Sequence, residues 1–60
     1  MDRSKVYDYA RRLRSAHGDR AIAEAAQKAV ACERRKDAAG SSIWRQIETV
    51  LRSMQGPRAT

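Results

Sequence analysis

A chain of sixty residues with one cysteine, Cys32, and one histidine, His17, cannot staple itself. A lone cysteine closes no intrachain disulfide, and one histidine beside one thiolate falls short of a four-ligand zinc site. Chains of this size bury too little apolar surface to fold with much margin. Self-association or a partner protein is the remaining support.

The large apolar side chains are Val6, Tyr7, Tyr9, Leu13, Ile22, Val30, Ile43, Trp44, Ile47, Val50, Leu51 and Met54, with no phenylalanine. They recur at helical spacing, and neither a strand pattern nor an internal repeat is present. Val6, Tyr9, Ala10, Leu13, Ala16 and His17 share one face and predict a helix over 5–17, with Ser4 as its N-cap. Gly18 follows the last periodic position, where a left-handed residue ends helices. Asp19 then caps a second helix over 20–36, rich in alanine, whose inward face reads as Ile22, Ala25, Ala26 and Ala29. Ile43, Trp44, Ile47, Val50, Leu51 and Met54 form a broad stripe that predicts a third helix over 38–54. Asp37 is preferred as its cap over Ser41 or Ser42. Gly40 is then tolerated inside the helix, at about 1 kcal/mol relative to alanine. Gly56-Pro57 ends the pattern, and the tail 57–60 is expected to fray.

The fold expected is all-α: a single small domain over 1–60, with helix, corner and helix followed by an antiparallel helical hairpin. The Gly18-Asp19 corner is too short for a relaxed hairpin, so the first helix should cross the second obliquely. The alanine face of the second should pack on the third, because small side chains let helix axes approach closely. The stripe of the third helix is wider than an alanine face can cover. Ile43, Trp44, Ile47, Val50, Leu51 and Met54 are therefore the expected dimer or partner interface, with the surplus at Trp44, Val50 or Met54.

Thirteen Lys and Arg against seven Asp and Glu give a net charge of +6. Two clusters, Arg11, Arg12, Arg14 and Arg34, Arg35, Lys36, are candidate phosphate contacts. Both also fall in the last turns of helices, where positive charge complements the helix dipole in any helical protein. A helix-turn-helix reading fails. The position four before each glycine holds Arg14 or Lys36, where a small residue is wanted. The position six after holds Glu24 or Gln46, where an aliphatic residue is wanted. Tyr7, Tyr9 and Trp44 form no stacking platform. Sequence-independent nucleic-acid binding is the alternative function. Membrane-surface binding ranks below it, since Val6, Tyr9, Leu13 and alanine make a weak inserting face.

Catalysis is not expected. His17 has Asp19 as its nearest carboxylate in sequence, and it reads as a helix-end residue facing free carbonyls. Cys32 reads as a small buried hydrophobe. Asp8, Glu24, Glu33 and Glu48 are scattered without the spacing of a helical di-metal site. No glycine loop cradles a phosphate. No cofactor or metal is expected. The opening Met1-Asp2-Arg3-Ser4-Lys5 leads into no apolar run, so neither a secretory signal nor a membrane span is expected. One unpaired cysteine suits a reducing cytoplasm.

His17-Gly18-Asp19, then Ala23-Glu24-Ala25-Ala26-Gln27-Lys28-Ala29, Trp44-Arg45-Gln46-Ile47 and Gly56-Pro57-Arg58 together resemble a group of short alphaproteobacterial helical proteins. The likeness spans most of the chain. Members of that group carry Gly-Asp where this chain has Lys36-Asp37, which implies a turn there. The resemblance implies a helical fold and a bacterial cytoplasm, and it assigns no activity, cofactor or binding residue. The function expected is that of a non-catalytic helical interaction or regulatory protein, acting as a homodimer or on another protein.

Overall fold

The computed structural model describes residues 3–54. The expected stop at Gly56-Pro57 and the tail 57–60 lie outside them. Three helices follow in order: α1 (Arg3–His17), α2 (Arg20–Arg34) and α3 (Ala38–Met54). The all-α, three-helix expectation holds.

Each boundary has a local cause. Gly18 has φ +61°, and its N–H donates to the Arg14 carbonyl at 2.7 Å. This is the single-bond left-handed cap, and glycine adopts it without a Cβ penalty. Two expected caps need correction. Ser4 lies inside α1, because the first helical N–H groups need no intrahelical partner and nothing stops the helix one residue beyond it. Asp19 has helical dihedrals (φ −66°, ψ −18°) and makes no side-chain cap bond. A capping aspartate needs an extended backbone so that its side chain can fold over the next turn. The left-handed Gly18 instead feeds the chain straight into α2, and its carbonyl takes the Ala21 N–H at 3.1 Å.

The second corner is a complete Schellman motif. Lys36 N–H donates to the Glu33 carbonyl at 3.0 Å, and Asp37 N–H donates to the Cys32 carbonyl at 2.8 Å. Lys36 occupies the left-handed position with φ +60°. That reversal ends α2 at Arg34, two residues before the expected 36. Asp37 then caps α3 as the sequence predicted: its Oδ1 accepts the Gly40 N–H at 3.0 Å, and its carbonyl accepts Ser41 N–H at 3.0 Å. Gly40 lies within α3.

α3 is the central element. It packs most extensively on α2 and next on α1, while α1 and α2 touch least. Cys32 lies beside Gly40, and Ala21 and Ile22 lie beside Leu51, so α2 and α3 run antiparallel. The core comprises Val6 and Ala10 from α1, Ala21 and Ala25 from α2, and Ile47 and Leu51 from α3. Burying each of Val6, Ile47 and Leu51 contributes about 1.5–3 kcal/mol. The buried stripe of α2 is Ala21, Ala25, Ala29 and Cys32, at i, i+4, i+8 and i+11. The expected inward face named Ile22 and Ala26, which are only half-buried. Alanine and cysteine take the contact line because α3 presents the bulky partners there. Ala16 and His17, expected on the inward face of α1, are exposed.

Candidate functional site

Because α1 and α2 separate beyond the two-residue corner, a groove of about 590 Å³ opens between them. Tyr9, Leu13 and His17 line one wall at i, i+4 and i+8 of α1. Glu24, Gln27, Lys28 and Ala31 line the other from α2, and Trp44 reaches in from α3. The Tyr9 and Trp44 rings meet edge to face, with centroids 5.7 Å apart and planes at 85°. Tyr9 is nevertheless 42% exposed. Near the corner the groove is bridged by Nδ1 of His17, 3.1 Å from Oε1 of Glu24, an ion pair when the imidazole is protonated. A shallow apolar surface adjoins it on the outward side of α2, lined by Ala26, Val30, Arg34 and Arg35. Gln27 and Ala31 border both.

The interface read from the sequence is largely closed. Ile47 and Leu51 are 2% and 1% exposed within this one chain, and Ile43, Trp44, Val50 and Met54 are partly buried against the same core. Covering that ridge with the alanine face alone left out α1, whose Val6, Ala10 and Leu13 complete the cover. Among the described residues, the exposed large apolar ones are Tyr7, Tyr9 and Val30, on the other two helices.

The two basic clusters are not brought together. Arg11 and Arg14 border a shallow hollow with Tyr7, Ser15 and Met54, and Arg14 also adjoins the first corner. Arg34 lies at the far end of α2, about 21 Å along the axis from Arg20. Arg12 is exposed on α1, and Lys36 sits in the second corner. Arg35 reaches Asp37 at 3.8 Å, a long and exposed pair. Among the described residues, Arg11, Arg12, Arg14, Arg20, Lys28, Arg34 and Lys36 make no ion pair.

The carboxylates of Glu33 and Glu48 belong to a separate network along the α2–α3 hairpin. Glu48 Oε1 accepts from Arg45 Nη1 at 3.0 Å. Glu48 Oε2 accepts from Arg52 Nη2 at 2.9 Å and Nε at 3.2 Å. Arg45 Nη2 also donates to Glu33 Oε2 at 3.2 Å, where Ser41 Oγ donates at 3.1 Å. The hydrogen bonds from Arg52, then the one from Arg45, hold the Glu48 carboxyl below its ordinary pKa, against the opposing effect of burial. The same pairing, with Glu48 first and Glu33 second, raises Arg45. The pairs within α3 stand at i, i+3 and i, i+4 and are readable from spacing. The Glu33–Arg45 link crosses two helices and gives no signal in sequence. His17–Glu24 was also missed, because the corner brings the second turn of α2 against the end of α1.

Among the described residues, no group of three or more His, Cys, Asp or Glu could hold a metal ion. Nor is any helix there long and apolar enough to cross a membrane. No family model, curated protein or solved structure matches this chain.

Proposed function

We propose that this chain is a non-catalytic helical module that binds a segment of another protein in the groove between α1 and α2. The observation that carries the reading is the Tyr9–Trp44 pair. It leaves aromatic surface open beside Leu13 and Ala31 in a groove rimmed by polar residues, and aromatic side chains are where interface energy concentrates. A homodimer through the α3 ridge is not proposed, because α1 covers that ridge. We place the protein in a bacterial cytoplasm, on its resemblance to short alphaproteobacterial proteins and on its unpaired, buried thiol, Cys32.

The test is a random-peptide display library, panned on the full chain and on an Ala31→Arg variant. Ala31 is exposed, so the arginine obstructs the groove without entering the core. Peptides enriched on the parent alone, which move the backbone amide signals of Tyr9, Leu13 and Ala31, support the reading. Equal enrichment on both proteins counts against it.

A second reading, sequence-independent binding of nucleic acid, is favoured by the seven unpaired cations. The clusters lie on different helices and are not brought together, so a duplex engages about three cations at once. The affinity then falls with salt at a log–log slope of about −2 to −3. Duplex DNA and RNA titrated at two salt concentrations check this, and no binding near 50 mM salt removes it.

A further inference from the structure

We infer that the occupant of the groove between α1 and α2 is an acidic amphipathic helix belonging to another protein; the inference rests on reading that groove as a protein-binding site. The walls are straight stripes of two helices. Tyr9 to His17 spans about 12 Å and Glu24 to Ala31 about 10 Å, room for two turns of helix. An amphipathic helix seats its apolar face in such a groove and leaves its flanks at the rims.

Charge selects the partner. Lys28 lines the groove and has no carboxylate partner among the described residues. Arg12 follows Tyr9 by one turn on α1, and Arg34 follows Ala31 by one turn on α2; both are exposed and equally unpaired. The one carboxylate in the groove, Glu24, lies against His17. The groove thus carries one unpaired cation of its own, Lys28, on a chain of net charge +6, and an incoming helix with acidic flanks meets complementary charge there.

A second copy of this chain fits the same surface badly. It brings another net charge of +6. Like charges across an interface are destabilising. A nucleic acid finds its phosphates matched but its bases unserved, because Tyr9 and Trp44 stand perpendicular and offer no stacked platform.

The test uses the full chain and a fourteen-residue helical peptide with leucines at i, i+3, i+4 and i+7, flanking glutamates, and no tryptophan or tyrosine. A twin peptide carries lysine at each glutamate position. Trp44 is the sole tryptophan and lines the groove, so its emission reports occupancy. The glutamate peptide is expected to blue-shift Trp44 and bind at least tenfold more tightly than the twin. Lys28→Glu, at an exposed position, is expected to shrink that difference while leaving helicity by circular dichroism unchanged. Equal binding of the twins overturns the acidic occupant and leaves the protein-binding reading standing. A Trp44 signal that neither peptide moves overturns both. A concentration-dependent dimer that shifts Trp44 without peptide makes the second copy the occupant. Displacement of the glutamate peptide by duplex DNA makes it a nucleic acid.

Discussion

Tyr9 and Trp44 meet edge to face at 5.7 Å, and this contact joins the first helix to the third across the mouth of the groove. It does two jobs, holding α1 on α3 and keeping aromatic surface within reach of solvent. The proposed binding site is thus made by the same packing that stabilises the fold.

Replacing Tyr9 with alanine should therefore loosen α1 without unfolding the chain. Edge-to-face pairs are worth about 0.5–1.5 kcal/mol beyond buried area. Tyr9→Ala is expected to lose about 1 kcal/mol in urea unfolding and to red-shift Trp44 emission. An unchanged emission maximum would show that the rings do not meet.

The left-handed Lys36 gives an opposite prediction. A side chain at φ +60° costs about 1–2 kcal/mol, whereas glycine bears no such penalty but loses more chain entropy on folding. Lys36→Gly is expected to stabilise the protein by about 0.5–1 kcal/mol. Lys36→Ala keeps the Cβ and should not stabilise. If thermal melts show the same gain for both, the lysine charge is responsible and not the backbone.

Gly40 is a case where helix propensity misleads. Alanine there gains about 1 kcal/mol in an unpacked helix. A Cβ at this position meets Asp37 Oδ2 at 2.5 Å and Cys32 Sγ at 2.9 Å. It displaces both the cap of α3 and the buried thiol. Gly40→Ala is expected to be destabilising by about 1 kcal/mol, since a lost cap alone costs about that much. In a double-mutant cycle, adding Cys32→Ala should recover part of the loss, because the sulfur no longer blocks the methyl.

Glu48 sets an acid limit. Its carboxyl titrates lower in the folded chain than in the unfolded one, so the unfolded state takes up protons first as pH falls. The stabilisation is complete above the unfolded value, about 4.3, and drains away as pH drops through the lower folded value. Chemical unfolding of the parent should show that decline below about pH 4.5. Glu48→Gln is expected to cost about 1 kcal/mol at pH 7 and to flatten the acid decline.

Much of this was legible in order along the chain. Gly18 could be read as a helix stop because only its residue type sits left-handed at no cost. Asp37 could be read as a cap because Gly40 alone is a weak breaker. The stripe from Ile43 to Met54 announced α3. Asp19 misled because capping depends on the dihedrals with which the chain arrives, and Gly18 dictated those. The end of α2 was missed because a lysine in a left-handed corner has no compositional signature. The exposed groove was missed because the sequence showed α3 as the element with surplus apolar surface, and the surplus lay elsewhere.

Periodicity, caps and the absence of any staple are local properties, so the sequence alone determined three helices, one left-handed glycine corner and a strongly basic surface. Which faces meet is a matter of how volumes fit at a distance. That decision turned the alanine stripe to Ala21, Ala25, Ala29 and Cys32, laid α1 over the ridge of α3, paired His17 with Glu24, and left Tyr9 and Val30 facing solvent. Only close packing among three helices at once could settle it, because helical spacing puts residues on a face without saying which neighbour covers it.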